Sequence, residues 1–305
     1  MGSTSARIVD WITLSRPAFH TVGVLPFLLG TYLAYRLTGV FNGQVLALGV
    51  GAVILIMLST YWSGEYFDRA GDAISLRMHE NRFAGGTRIV PQGKIEAKAP
   101  FVASIVSLCL AGIVGMILQF GFKTGPWTLV LGGIGALAGF FYSTEPVRLV
   151  KRGVGELFIA FCYGWLPVAA AFYLQTARLD PIIHWISLPI AGSIFNVILL
   201  NEFPDYEADR ATGKKNLLFR LGYEKGSVLF NLINAFTVFT LVLSPLVGVP
   251  VKVLAFFLPF ALVAAYITWE MMRGSFRDPK KLELLCGLNI AVNLGTSISY
   301  ILAFL

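Results

Sequence analysis

Two copies of one pattern of acidic residues stand out in this sequence. The first runs from Gly64 to Asp72 (GEYFDRAGD), and the second runs from Asn201 to Asp209 (NEFPDYEAD). Each copy has an acid, a second acid three residues later and a third acid four residues after that, which places all three along one side of a helix. These acids are Glu65, Asp68 and Asp72 in the first copy and Glu202, Asp205 and Asp209 in the second.

Six clustered carboxylates repel one another strongly unless cations lie between them. Magnesium suits a dense set of oxygen ligands, and it commonly shares them with the phosphates of a substrate. The two acidic patterns therefore predict a magnesium site that binds a phosphorylated molecule.

The composition indicates a membrane protein. The 305 residues are 56% hydrophobic and only 13% charged, whereas about 25% of residues are charged in soluble domains. The net charge of +7 does not indicate nucleic-acid binding, because the chain has no soluble basic domain. The basic residues are better explained as signals of membrane topology and as ligands for anions.

Cysteine and histidine carry no predicted role. Cys109, Cys162 and Cys286 lie singly in apolar stretches and are interpreted as small core residues. The three histidines, His20, His79 and His184, are unclustered. No short apolar core followed by a small-residue cleavage site is found near the N-terminus, so we expect no removable signal peptide.

The apolar segments predict an all-α integral membrane protein with nine transmembrane helices, at about 20 residues per crossing. The spans are expected at 17–37, 45–67, 99–120, 126–143, 155–175, 182–203, 227–248, 251–272 and 284–305. Glu65 and Glu202 are 137 residues apart and end the second and sixth spans. This offset predicts a single domain over 1–305, built from a repeat at about 17–143, a second at about 155–272 and a ninth helix around a central cavity.

Basic residues predict the orientation of the chain. Of the 24 Lys and Arg, all but Arg36, Lys123, Arg178 and Lys252 fall on the side that holds the N-terminus and both acidic patterns. By the positive-inside rule, we expect this side to face the cytoplasm.

Basic loops follow both acidic patterns. Residues 85–94 (GGTRIVPQGK) contain Arg88 and Lys94 beside glycines whose backbone amides can approach phosphate. Lys214 and Lys215 follow the second pattern, where cations would also stabilise a helix end. An ordinary solvated loop remains an alternative explanation for these basic residues.

Three further polar residues are candidates for the same cavity. Tyr142 and Lys151 lie in a basic segment on the same predicted face. Arg16 opens the first span before Pro17, and it either extends to the membrane surface or joins the cavity.

Along nearly its whole length, the chain resembles the UbiA superfamily of intramembrane aromatic prenyltransferases. The resemblance rests on both acidic patterns, the nine spans, Ser-Arg-Pro at 15–17 and Tyr-Ser at 142–143, and the stretch 205–217 (DYEADRATGKKNL) is a specific match. The loop at 85–88 and the stretch 142–156 look most like the branch that prenylates 1,4-dihydroxy-2-naphthoate in menaquinone synthesis. One departure is Gly64-Glu65, where the family usually has Asn-Asp.

The resemblance implies magnesium-dependent transfer of a polyprenyl group from its diphosphate to an aromatic acceptor. Two magnesium ions, bridged by the diphosphate, would be held by the six acids. Arg88, Lys94, Lys151 and Lys214 would stabilise the leaving diphosphate, and Tyr142 the developing cation. The residues expected to contact substrates are Arg16, Arg88, Lys94, Tyr142, Arg148, Lys151, Asn201, Lys214 and Lys215.

Other functions fit parts of the pattern. The acceptor could instead be 4-hydroxybenzoate, homogentisate, haem, chlorophyllide or glyceryl phosphate. A scaffold without catalysis is a further alternative. An ion-coupled transporter also has intramembrane acids and internal repeats. Transporter sites, however, usually lie near the middle of the bilayer, whereas these acids end their spans beside basic loops.

Overall fold

The computed structural model describes residues 4–75, 77, 81–83 and 86–305, and within these ranges the regular structure is entirely helical, as predicted. The α-helices are α1 (Thr4–Leu14), α2 (Thr21–Thr38), α3 (Gly43–Phe67), α4 (Arg69–Ser75), α5 (Lys98–Met116), α6 (Thr128–Ser143), α7 (Gly155–Ala160), α8 (Leu166–Thr176), α9 (Pro181–Thr212), α10 (Leu217–Val242), α11 (Val253–Met272) and α12 (Pro279–Ala303). A π-helical segment at Ile117–Gly121 extends α5, and a second at Phe161–Trp165 joins α7 to α8.

The helices identify an integral membrane protein with several crossings. In the described part of the chain, eight helical segments are long and apolar enough to span a membrane. They are Arg7–Thr38, Gly43–Phe67, Lys98–Gly121, Gly155–Thr176, Pro181–Thr212, Leu217–Val242, Val253–Met272 and Pro279–Ala303. The remaining predicted span coincides with α6, which has 16 residues and a length of about 24 Å.

The two acidic patterns have different backbone structures, although the sequence predicts a helical stripe for both. In the first pattern, α3 ends at Phe67, Asp68 is the C-terminal cap, and α4 begins at Arg69. In the second pattern, α9 continues to Thr212, nine residues beyond the predicted span. The first trio is therefore spread over a helix break, whereas the second lies within one helix.

The helix that corresponds to the seventh predicted span is α10, and it begins at Leu217, ten residues earlier than predicted. Asn216 caps α10, and its Oδ1 accepts a hydrogen bond from the backbone N–H of Phe219 at 2.8 Å. The first turns of α10 contain three charged residues, Arg220, Glu224 and Lys225, so a search for apolar spans does not include them. Gly222 interrupts the helix at φ 76° and ψ 168°, a conformation that glycine adopts without steric cost.

Helix α9 runs through the interior of the bundle. In its most apolar stretch 72% of the residues are buried, compared with 22% in α3 and in α5. Ile183, Ile186 and Ile190 of α9 are fully buried in a cluster that includes Leu29 of α2 and Tyr300 of α12. The second acidic pattern thus continues the helix with the largest buried share among the eight candidate spans.

Close helix approaches depend on small residues. A Cβ atom at Gly30 of α2 would overlap the backbone carbonyl of Val168 in α8, and one at Gly164 would overlap the backbone of Ala191 in α9. Such contacts let neighbouring helices pack tightly in a membrane, where apolar surface alone does not hold helices together.

Candidate active site

All six acids of the two patterns line one cavity of about 1160 Å³. The patterns converge because α3 and α9 end on the same side of the bundle, and the Ser75 hydroxyl of α4 donates a hydrogen bond to Asp205 Oδ1 at 2.6 Å. The other predicted site residues that line the cavity are Arg16, Tyr142, Asn201 and Lys214.

Asp68 is held by donors from the end of α6 and the loop after it. Its Oδ2 accepts from the Ser143 hydroxyl at 2.7 Å, and its Oδ1 accepts from Arg148 Nη2 at 3.0 Å. Arg148 also donates to the backbone carbonyl of Phe67 at 3.0 Å. These contacts place the predicted substrate residue Arg148 against the first acidic pattern.

Asp72 accepts a hydrogen bond from the backbone N–H of Gly86 at 3.0 Å. A Cβ atom at Gly86 would overlap the Asp72 carboxylate, so this close approach requires glycine. Burial, followed by the charges of Asp68 and Glu65, raises the pKa of Asp72 to about 7. The carboxylate is thus costly to keep charged without added cations.

Glu65 is buried and only partly satisfied. Its Oε1 accepts from Arg16 Nη2 at 3.3 Å and from the backbone N–H of Thr87 at 3.0 Å. Its Oε2 is buried and has no hydrogen-bond donor among the described residues. A buried carboxylate oxygen without a donor is strongly disfavoured unless a cation contacts it.

Glu202 belongs to α9, and its side chain contacts the start of α10. Its Oε2 accepts a hydrogen bond from the backbone N–H of Leu218 at 3.2 Å. The buried Glu156 lies against it and accepts from the backbone N–H of Leu217 at 2.9 Å. The sequence did not predict that Glu156 contacts α10, because no pattern in the segment around Glu156 indicates this contact.

Lys214 forms an ion pair with the second acidic pattern. Its Nζ lies 3.4 Å from Asp209 Oδ1, and Asn216 Nδ2 donates to Asp209 Oδ2 at 2.6 Å. Burial alone would lower the pKa of Lys214, but the charges of Asp209 and Asp68 raise it well above its usual value. Lys214 is therefore a charged ammonium group that interacts with both acidic patterns.

Arginines around the cavity adopt an unusual backbone conformation. Arg16, Arg88 and Arg148 have φ values of 46°, 66° and 45°, in the left-handed region. Such a backbone costs about 1–3 kcal/mol for a residue other than glycine, and it is concentrated at functional sites. No pattern in the sequence reveals this feature.

Several predicted residues lie away from this cavity. Arg88 lines a neighbouring cavity of about 920 Å³, which Arg16 also lines. Lys94 and Lys215 are exposed and Lys151 is half-buried, and none of the three lines the carboxylate cavity. Lys94 is exposed, whereas the next residue, Ile95, is buried in a cluster with Leu14. Gly85 and His79 lie outside the described residues.

The acids fit magnesium only if another molecule supplies ligands. Among the residues that the structure describes, no three His, Cys, Asp or Glu side chains form a group that could hold an ion unaided. Magnesium usually binds one or two carboxylates and completes its shell with water and substrate phosphates. The buried Glu65 Oε2 and the raised pKa of Asp72 both favour added positive charge in this cavity.

The fold and site together define an all-helical membrane protein with an acid-lined cavity beneath basic loops. Residues 23–292 match the model of the UbiA prenyltransferase family. The chain belongs to this family, and it is a membrane enzyme that transfers prenyl groups.

Named relatives share moderate identity with the chain. A 2-carboxy-1,4-naphthoquinone phytyltransferase from Synechocystis sp. is 29% identical over 225 residues, which cover 73% of this chain and 69% of that protein. A 1,4-dihydroxy-2-naphthoate octaprenyltransferase from Bacillus subtilis is 28% identical over 216 residues, covering 70% and 66%.

Solved structures share the fold. A UbiA homologue from Aeropyrum pernix has a TM-score of 0.70 at 16% identity, and the match covers 94% of this chain and 98% of that one. A UbiA homologue from Archaeoglobus fulgidus bound to GPP and Mg2+ has a TM-score of 0.63 at 16% identity, and covers 96% and 99%.

We predict that Gly86→Ala lowers prenyl transfer about tenfold to a hundredfold. The added methyl group would displace the Asp72 carboxylate, and small displacements of catalytic groups have effects of this size. Gly71→Ala is the matched control, because a Cβ atom there lies at an ordinary 3.6 Å from Thr212 Oγ1. Steady-state rates of both purified variants provide the measurement, and equal rates would contradict the role of the close approach.

Proposed function

We propose that this protein transfers a polyprenyl group from its diphosphate to 1,4-dihydroxy-2-naphthoate, with two magnesium ions in the carboxylate cavity. The observation that carries the proposal is the convergence of both acidic patterns and Lys214 on one cavity. The names of the Synechocystis and Bacillus relatives support a naphthoate acceptor. The magnesium and GPP in the Archaeoglobus homologue support the donor class and the metal.

The acids would hold the metal through oxygen atoms that face the cavity. Asp68, Asp72, Asp205 and Asp209 are the main ligands in this proposal, with Glu65 and Glu202 as additional ones. Bound magnesium would supply positive charge to the diphosphate as it leaves.

Lys214 and Arg148 would position and neutralise the diphosphate beside the acids. Lys214 remains charged because of Asp209 and Asp68, so it can stabilise negative charge that develops on the leaving group. Arg16 and Arg88 line the neighbouring cavity and would bind anionic groups of either substrate there. Lys94, Lys151 and Lys215 lie farther from the acids and would act only through longer-range attraction.

The reaction breaks the bond between the allylic carbon and the diphosphate oxygen, and the electron pair leaves with the diphosphate. The electron-rich ring of the acceptor then forms a carbon–carbon bond to the allylic cation. With dihydroxynaphthoate, the carboxylate leaves as carbon dioxide and restores the aromatic ring. Tyr142 lines the cavity, where its ring would stabilise the cation.

The proposed topology has nine crossings, with α6 as the fourth. Ser143 at the end of α6 contacts Asp68 at the end of α3, so both helices end on the same side. Helix α5 begins near that side and runs away from it, and α6 must therefore return across the membrane. The arrangement supports two four-helix repeats, followed by α12.

We expect the purified protein to prenylate 1,4-dihydroxy-2-naphthoate when it is incubated with geranylgeranyl diphosphate, magnesium and a panel of aromatic acceptors. The panel includes 4-hydroxybenzoate and homogentisate, and mass spectrometry identifies products. Product from another acceptor alone would replace the naphthoate assignment. Product formation unaffected by removal of magnesium would contradict the metal proposal.

Asp68→Ala and Asp205→Ala are each expected to lower turnover about a hundredfold or more, because each removes charge at the reacting diphosphate. Glu207→Ala is the matched control, since Glu207 belongs to the second pattern but is exposed. Rates are compared at equal amounts of folded protein, judged by size-exclusion chromatography. Turnover retained in both Asp variants would locate the metal elsewhere.

The proposed cytoplasmic orientation is testable by labelling. Lys215→Cys and Lys252→Cys introduce exposed thiols on opposite sides of the predicted topology, in a background with the three native cysteines replaced by serine. A membrane-impermeant maleimide should label the Lys215→Cys variant only in inside-out vesicles, and the Lys252→Cys variant only in intact cells. The opposite pattern would reverse the orientation.

A further inference from the structure

The start of α10 is held by side-chain oxygens from three separate parts of the chain. The first three N–H groups of this helix donate as follows: Leu217 to Glu156 Oε1 at 2.9 Å, Leu218 to Glu202 Oε2 at 3.2 Å, and Phe219 to Asn216 Oδ1 at 2.8 Å. The first N–H groups of a helix have no partner inside the helix, so acceptors from elsewhere help to determine where it starts. The position of α10 therefore depends on contacts with α7 and α9.

Glu156 is the carboxylate in this group that belongs to neither acidic pattern. It lies in α7, is only 1% exposed and contacts Leu217 across 61 positions of sequence. A carboxylate this deeply buried costs free energy unless donors contact it, and the positive end of the α10 dipole lowers that cost. Glu156 and the start of α10 therefore stabilise each other.

The loop immediately before α10 carries Lys214 to the acids. Only two residues separate Lys214 from Leu217, so the chain between them spans at most about 11 Å. The Lys214 Nζ lies 3.4 Å from Asp209 Oδ1, and Asn216 Nδ2 donates to Asp209 Oδ2 at 2.6 Å. A lysine ammonium is carried on a flexible four-carbon stem, so its position depends on the backbone that bears it. A shift at the start of α10 would therefore move the Lys214 ammonium away from Asp209.

We propose that Glu156 is a positioning residue for prenyl transfer, and that it holds the Leu217 N–H so that the Lys214 ammonium stays beside Asp209 and the diphosphate. The inference rests on the proposed function, because the role of Lys214 at the leaving diphosphate belongs to that proposal. Glu156 does not line the carboxylate cavity, so it acts through Leu217 and the loop rather than by touching the diphosphate.

Two pairs of variants break or preserve this hydrogen bond from either side. Glu156→Met removes the acceptor at similar size, whereas Glu156→Gln keeps a carbonyl oxygen for Leu217 and an amide that can donate to Glu202. Leu217→Pro removes the donor, and its control Leu217→Ala keeps it. Proline is well tolerated at the first residue of a helix, and Asn216 before it has a ψ of −179°, which suits the position before proline. Leu217→Pro thus keeps the test available if Glu156→Met does not fold.

Turnover is measured with geranylgeranyl diphosphate and the acceptor that gives product, at equal amounts of folded protein. We expect kcat to fall about tenfold or more in Glu156→Met and Leu217→Pro, because small displacements of a group that stabilises the transition state have effects of this size. It should stay within about threefold of wild type in Glu156→Gln and Leu217→Ala, which keep the hydrogen bond. Equal losses in Glu156→Met and Glu156→Gln overturn the inference.

A double-mutant cycle tests whether Glu156 acts through Lys214. In a Lys214→Ala background, Glu156→Met should lower kcat by less than about twofold further, since the group that it positions is already absent. A further loss as large as in wild type overturns the inference, because Glu156 would then act independently of Lys214.

Lysine acetylation separates this inference from the proposed function, since it needs no turnover. A water-soluble amine-reactive ester acetylates each purified variant, and mass spectrometry follows Lys214 and its exposed neighbour Lys215. The Lys214 side chain is 22% exposed, so its displacement in Glu156→Met should speed its acetylation about threefold or more. Lys215 should react as in wild type, and Glu156→Gln should leave both rates unchanged.

Equal acetylation of Lys214 in wild type and Glu156→Met overturns the inference, even if prenyl transfer to naphthoate is observed. Faster acetylation of Lys214 in Glu156→Met, together with full turnover in Lys214→Ala, would support the contact that holds Lys214 and contradict only the role of Lys214 in the proposed function.

Discussion

Mutual repulsion among six acids in one cavity is the constraint on which the rest of the site depends. Carboxylates withdrawn from water cost free energy unless donors or cations contact them. The structure meets this cost with groups from four separate segments, among them Ser143, Arg148, the backbone of Gly86 and Lys214. These contacts with the carboxylates also hold the loops that contain Gly86, Arg148 and Lys214 against the cavity.

The two acidic patterns are alike in sequence but unlike in their surroundings. The first spans a helix break at Asp68, and its partners include backbone N–H groups from residues 86–87. The second lies inside α9, and side chains of the following loop contact it. Two similar acidic patterns therefore supply the acids, while the site built from them is asymmetric. Such an asymmetric site suits a substrate with a distinct head and tail.

The position of the acids favours an enzyme over an ion-coupled transporter. They lie where helices end beneath loops, and an apolar cavity adjoins them deeper in the bundle. A polar site next to an apolar chamber suits a substrate with a charged diphosphate and a hydrocarbon chain. The chamber would also keep water from a reactive cation. Membership in the prenyltransferase family agrees with this division of the interior.

The sequence alone determined the class of fold, the limits of most spans and the acids that share the cavity. The length of an apolar segment and the spacing of acids are local properties, so they can be recognised in the sequence without knowledge of tertiary contacts. Glu207, five residues after Glu202, does not share the side of the helix that carries Glu202, Asp205 and Asp209, and it is exposed in the structure. The first turns of α10 were not predicted because the charges of Arg220, Glu224 and Lys225 interrupt the apolar pattern there.

Tertiary structure alone decided which basic residues meet the acids. Arg148 reaches Asp68 across 80 positions of sequence, whereas Lys94 is exposed and does not line the carboxylate cavity. Glu156 contacts Leu217, which is 61 positions away in the chain, and Gly86 contacts Asp72 across a loop of 14 positions. The type and spacing of charged residues identify candidate site residues, but the direction of each side chain depends on packing that no local pattern encodes.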